Sequence, residues 1–146
     1  MADSKYGKYI VYRPKEDIVK PEWSPQGKIP GQVAYIDQEV VDGAFYMECV
    51  WLMPRIMPKL APGEKPPGPQ AHTHDYDEIL GFFGSDPENM FELGGEAELW
   101  LGDEKHIINK SCLVFIPKGL QHCPLYFMKI DKPIFHFSVG PGKMYF

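Results

Sequence analysis

Cysteine is scarce in this chain. The three residues, Cys49, Cys112 and Cys123, are odd in number, far apart, and show no Cys-x-x-Cys spacing. That excludes a disulfide framework and a structural zinc knuckle, and reads as buried thiols in a reducing compartment. Long hydrophobic runs are missing too. The longest apolar stretches, such as 49–53 and 112–116, span five residues, against roughly 18 for a bilayer crossing. Positive charge is in deficit: 15 Lys and Arg face 20 Asp and Glu, for a net charge of −5, and the basic residues form no run. A polyanion-binding surface is therefore not expected, and neither is a nucleic-acid partner. The first residues carry no apolar export segment. With the reduced thiols, this gives an expected cytoplasmic location and no membrane partner.

What the chain has in abundance is punctuation. It holds 14 glycines and 15 prolines in 146 residues, about a fifth of the chain against roughly 12% in an average domain. No amphipathic helix of ten residues is legible, and no helix-turn-helix. Short apolar, β-branched and aromatic runs stand instead at 33–36, 44–53, 79–83, 97–101, 105–108, 112–116, 125–128 and 134–139, with a further one at 9–12. Turn signals separate them, as at Asp42-Gly43, Gly102-Asp103 and Pro117-Lys118-Gly119. Eight or nine short strands predict an all-β sandwich or barrel in one domain. Residues 1–30, polar and with four prolines, read as an extended N-terminal arm, and 31–146 as the barrel. The proline-rich stretch 54–69 reads as a loop packed on the domain.

Chemistry concentrates in the histidines. His72-Thr73-His74 is followed four residues later by Glu78. On an uninterrupted strand, positions 72, 74 and 78 share one face, whereas on a helix 72 and 74 would point about 200° apart. Two imidazoles and a carboxylate on an enclosed face are costly to bury unless something neutralises them, and a divalent ion does so. A further ligand must come from elsewhere in the chain. His122 follows the tight turn of Pro117-Lys118-Gly119.

These residues resemble the two motifs of the cupin superfamily of small β-barrels. His72-x-His74-x-x-x-Glu78 is similar to its first motif, and Pro117-x-Gly119-x-x-His122 to its second. The resemblance implies a double-stranded β-helix barrel in which His72, His74, Glu78 and His122 hold one metal ion. Three sequence features depart from the family pattern: an apparent insertion at 84–95, Ser111 where the second motif opens on glycine, and Tyr126 at its trailing asparagine position. Three imidazoles and a carboxylate suit one divalent Mn, Fe, Co, Ni, Cu or Zn per chain, not calcium or magnesium, which prefer oxygen ligands. Imidazole must be neutral to bind, so affinity is expected to fall below about pH 6.

Around this set, Trp51 and Met53 are expected to wall a substrate pocket. They share an apolar alternation with Phe45, Met47 and Cys49. Gln70 shares the parity of His72, and His136 lies in the last strand; both are further substrate-binding candidates. Glu78 is the catalytic candidate, as the one carboxylate ligand. Glu98 is a possible acid or base if its face points inward, and otherwise an exposed surface residue. Alternation turns Cys123 away from the metal as a passive thiol. Asp75 and Asp77 are expected to face solvent, and His106 to sit at a solvated edge.

Two functional readings stand. One is a metalloenzyme acting on a small organic molecule, by dioxygenase or by isomerase or lyase chemistry. The other is a non-catalytic module that binds a metal or small ligand. The arm has no obvious place in a single barrel, which predicts a homodimer.

Overall fold

The computed structural model describes residues 4–16, 31–54 and 60–141. Eight strands run in the order β1 (Gln32–Ile36), β2 (Tyr46–Leu52), β3 (Glu78–Gly84), β4 (Glu92–Leu101), β5 (Glu104–Lys110), β6 (Cys112–Ile116), β7 (His122–Ile130) and β8 (Ile134–Gly140). They form two antiparallel sheets, one in the order β1-β2-β8-β3-β6 and one in the order β5-β4-β7. The only helical element among the described residues is one turn of 3-10 helix at Gly7–Tyr9. It replaces the expected short strand at 9–12. The turn closes locally, with the Tyr9 amide donating to the Tyr6 carbonyl at 3.1 Å and the Ile10 amide to the Gly7 carbonyl at 3.0 Å.

The core lies between the sheets. Phe82, Leu93, Ala97, Leu99, Ile116, Leu125, Ile130 and Ile134 bury there, drawn from both sheets by period-2 alternation. Side chains on β2, β8 and β3 stack in cross-strand rows on that inner face. Glu48 pairs with Ser138, which pairs with Leu80; Val50 pairs with His136, which pairs with Phe82. One row back, Tyr46 pairs with Gly140.

Strand β2 therefore buries Tyr46, Glu48 and Val50, and turns its other face outward. Trp51 and Met53 are 37% and 57% exposed and do not line the cavity at the histidines, contrary to the reading of their apolar stripe. The stripe belongs to an apolar outer surface. Trp51 packs on Phe135, whose ring centroid is 5.1 Å away, and Phe137 lies over Gly81, where a Cβ would come within 2.3 Å of two ring carbons. Counting apolar residues picked the wrong face because both faces are rich in them.

The apparent insertion at 84–95 is smaller than expected, since β4 begins at Glu92 and takes up its last four residues. Ser111, the departure from glycine, fastens what remains. Its hydroxyl receives the Gly84 amide at 3.0 Å and donates to the Met90 carbonyl at 2.7 Å. This connection leaves β3 at the end opposite Glu78, so it is no lid over the histidines. Residues 10–16 follow their own barrel: the Tyr35 amide donates to the Arg13 carbonyl, and Lys15 pairs with Asp37 and Glu39. The rest of the expected arm, 17–30, lies outside the described residues, as do 55–59 of the proline-rich loop.

Candidate metal centre

His72 and His74 do not lie on an uninterrupted strand. Residues 73–77 are irregular, and β3 starts only at Glu78. The segment is held by the second motif instead. His72 and His122 exchange both backbone hydrogen bonds at 3.0 Å, and the Gly119 amide donates to the His74 carbonyl at 3.0 Å. The exposed Asp77 carboxylate accepts the Lys118 amide at 2.8 Å. Asp77 is thus more than a solvated acid, because it ties the Pro117–Gly119 turn to the approach of β3. Gly119 has φ +83°, a conformation that glycine adopts without steric cost.

These ties bring three imidazoles together. His72, His74 and His122 offer ligand atoms all within 4.8 Å of one another. The Glu78 carboxylate completes the group, with Oε2 3.4 Å from His74 Nε2 and Oε1 3.5 Å from His122 Nε2. Their side chains are 6%, 1% and 7% exposed for His74, His122 and Glu78. His72 donates Nδ1–H to the Gln70 carbonyl and His122 donates Nδ1–H to the Leu120 carbonyl, since a carbonyl can only accept. Each ring then turns its Nε2 lone pair toward the others. The His72 and His74 Nε2 atoms are 3.1 Å apart, and His122 Nε2 is fully buried without a hydrogen-bond partner.

Lone pairs converging with a carboxylate repel one another and make a costly burial, unless a cation sits among them. The protonation states favour that cation. Burial pushes the His72 imidazole down to about 4 and lowers His74. Burial alone would raise the Glu78 carboxyl, but the hydrogen bond that Tyr46 donates acts against it, and the group is held below its usual range. At neutral pH the site is two neutral imidazoles beside an ionised carboxylate, with His122 aimed at the same point. The residues fit a divalent transition metal.

Tyr46 is the residue that sequence reasoning missed. Its hydroxyl donates to Glu78 Oε2 in a short hydrogen bond. It reaches Glu78 by lying over Gly140, where a Cβ would stand 2.9 Å from its ring. Burial and the Glu78 charge push the Tyr46 phenol far up, so it stays a donor at any working pH. Such a partner orients a ligating carboxylate. Tyr46→Phe is expected to weaken metal affinity by about tenfold, the lower end for loss of an outer partner. Competition with a chromophoric chelator measures it, and unchanged affinity would show that Tyr46 does not position Glu78.

The other candidates divide. His136 lines the same cavity, with Glu48, Leu80, Leu125 and Ser138. Gln70 does not: its side chain is exposed and donates to the Gly68 carbonyl at 3.0 Å, and only its backbone serves the site, through His72. Cys123 does line the cavity, against the expectation from alternation. Its φ of +71° and a bulge, in which three steps on β7 face two on β4 between Leu99 and Leu101, break the period. Burial, with the Glu78 charge second, pushes its thiol up to about 12, so it remains an unreactive thiol. Glu98 is neither an inward base nor exposed. It is buried on the outer side of β4, with Lys65 at 3.0 Å and the Trp100 indole N–H at 3.2 Å, pinning the proline-rich loop. His106 is exposed beside Glu104, as expected of a solvated edge.

Two antiparallel sheets thus enclose three histidines and a carboxylate that could hold a metal ion. No family model matches the chain, and no curated protein does. Among solved structures it is similar to a cupin protein from Bacteroides fragilis, at 12% identity and a TM-score of 0.47, covering 86% of this chain and 89% of that one. It is similar also to KdgF from Halomonas sp., at 17% identity and a TM-score of 0.44, over 82% and 86% of the two chains. A third is the DMSP lyase DddQ from Ruegeria pomeroyi, at 21% identity and a TM-score of 0.38; the match covers 70% of this chain and 40% of the lyase. The match therefore spans about two fifths of that lyase's length.

Proposed function

We propose that the chain is a metal-dependent enzyme acting on a small organic molecule, with one divalent transition metal ion held by His72, His74, His122 and Glu78. The observation that carries this reading is the buried Nε2 of His122, which faces Glu78 and two further imidazoles without a hydrogen-bond partner. The ion would supply Lewis-acid polarisation of a substrate carbonyl or enol oxygen. The chain supplies the rest. A cavity of about 70 Å³ beside the histidines admits a small substrate. Glu78, held in place by the Tyr46 hydroxyl, is the carboxylate that would accept a proton from a substrate carbon. Proton transfer of this kind is isomerase or lyase chemistry.

Elemental analysis followed by a turnover screen tests the reading. The metal-loaded chain should consume a small hydroxylated or carbonyl compound without oxygen uptake, and Glu78→Gln should not. Oxygen uptake coupled to substrate loss would replace the lyase or isomerase assignment with a dioxygenase. Tight binding of small ligands with no consumption of any would make the chain a binding module.

The three thiols are all free, which supports a reducing, cytoplasmic setting. Among the described residues no helix is long and apolar enough to cross a membrane. We also propose a homodimer formed through the outer face of the five-stranded sheet. The outer face of an antiparallel sheet is ordinarily polar. Here Trp51, Ile79, Leu113 and Phe115 are 37% to 62% exposed, and the outward positions of these strands bear no charge. An uncharged face is where two copies, each of net charge −5, can meet with least repulsion. Light scattering should return twice the chain mass, and Phe115→Glu should halve it. A monomer at micromolar concentration would refute the dimer.

A further inference from the structure

Three of the four candidate ligands are fixed by a hydrogen bond behind them. His72 and His122 each donate Nδ1–H to a carbonyl two residues back, that of Gln70 and that of Leu120, and Glu78 accepts the Tyr46 hydroxyl. His74 is held differently. Its Nε2 faces His72 Nε2 at 3.1 Å and Glu78 Oε2 at 3.4 Å, and among the described residues no carbonyl receives its Nδ1. The Tyr76 ring stacks on it instead, with centroids 4.7 Å apart and planes 13° from parallel. That separation falls in the range of about 4.5–7 Å at which offset aromatic pairs attract.

The stack is braced from behind. His74 and Tyr76 are two residues apart in the irregular stretch before β3, where no strand alternation fixes their directions. Tyr46, on β2, meets the Tyr76 ring edge-on, with centroids 5.8 Å apart and planes at 70°. Both tyrosines lie over Gly140 of β8, where a Cβ would stand 2.9 Å from the Tyr46 ring and 3.2 Å from the Tyr76 ring. A side chain at 140 would have to move them. Tyr76 packs with Tyr46 and Tyr35 in a small cluster apart from the main core.

We infer that Tyr76 is the positioning residue of His74: its ring, braced by Tyr46 over Gly140, fixes the plane of the imidazole so that Nε2 aims at the point shared with His72, His122 and Glu78. This rests on the metal site proposed above and supplies the support of its remaining ligand. The two tyrosines then carry two of the four ligands, Tyr46 through a hydrogen bond and Tyr76 through a ring face. A hydrogen bond at Nδ1 stops an imidazole from rotating about its own stem, and a parallel ring against its face does the same. Without either, the ring must be ordered when the ion binds, and that cost is read as weaker affinity.

Zinc is the probe, because it accepts imidazole and carboxylate ligands and permits NMR. The zinc content of the wild type is measured first, and a chain that takes up no zinc overturns the metal site and this inference with it. Affinity is then read by competition with a chromophoric chelator for the wild type, Tyr76→Phe and Tyr76→Leu. The His74 ring protons, assigned through bonds from the backbone, are followed in the zinc-saturated chains. Tyr76→Phe keeps the ring and should bind zinc within about threefold of the wild type. Tyr76→Leu should bind about tenfold more weakly, the lower end for loss of an outer partner, and its His74 ring protons should lose the upfield shift that a stacked ring imposes. Tyr76→Met reads the same way should Tyr76→Leu fail to fold. Zinc binding by Tyr76→Leu at wild-type strength overturns the inference, and so does an equal loss in Tyr76→Phe. Weaker affinity with the His74 signals unmoved overturns it too, because Tyr76 would then act through Glu78 or through the fold at large.

Discussion

His122→Ala should strip the metal. His122 is 1% exposed, its Nδ1–H is committed to the Leu120 carbonyl at 2.9 Å, and its Nε2 has no other task among the described residues. Loss of an outer partner alone costs 10- to 100-fold in affinity, so loss of a ligand is expected to cost at least about 100-fold. The as-purified variant should then hold less than about a tenth of the wild-type metal after dialysis. The fold should survive. The backbone bonds that join residue 122 to His72 do not involve the side chain. Alanine gives up ring contacts with His72 and His74 at centroid distances of 4.3 and 4.9 Å, but it also removes a buried nitrogen that is unsatisfied without metal. The metal-free variant should therefore unfold within about 2 kcal/mol of the metal-free wild type in urea. Full metal retention by the variant would remove His122 from the ligand set.

The candidate ligands were legible because their spacing is local and their chemistry is unusual. Two histidines two apart with a carboxylate four further on mark a site even though the segment between them is not the strand that the parity argument assumed. The reason they converge is the exchange of backbone bonds between His72 and His122, a contact spanning fifty residues that no local pattern encodes. The strands themselves were read nearly in full, since alternation and turn residues are also local. What failed was the choice of face. On β2 the outward parity, Met47, Cys49 and Trp51, is the more apolar of the two, so only the sheet's neighbours could say that Tyr46, Glu48 and Val50 point inward. Tyr46 was invisible for the same reason. Its role depends on Gly140 standing opposite, which is a fact of register. Cys123 failed differently, because a bulge and a positive φ reverse the side that alternation assigns.

Acid should destabilise the metal-free protein well above the range in which carboxylates titrate. Burial pushes the imidazoles of His72 and His136 down to about 4 from an ordinary 6.5. Between those values the unfolded chain binds protons that the folded chain refuses, so stability falls as pH falls. The contribution is whole above about pH 6.5 and is lost progressively down to about pH 4, where both states are protonated. The Glu78 carboxyl, held below its usual 4.5, acts in the same direction at lower pH: its contribution is present above that value and lost as pH falls further. From pH 7 to pH 5 the two imidazoles together should remove on the order of 3 kcal/mol, after allowance for the partial exposure of His72. Urea midpoints of the metal-free chain at pH 7, 6 and 5 measure this, and a His136→Phe variant should show a shallower fall. Metal changes the profile, because protons must displace it from neutral imidazoles. Burial already disfavours those protons, so the loaded site should keep its ion below the pH of about 6 at which free imidazole would give it up. It should release the ion only as pH nears the lowered value of His72. A metal-free midpoint equal at pH 7 and pH 5 would mean that these imidazoles are open to water, and the enclosed site would go with them.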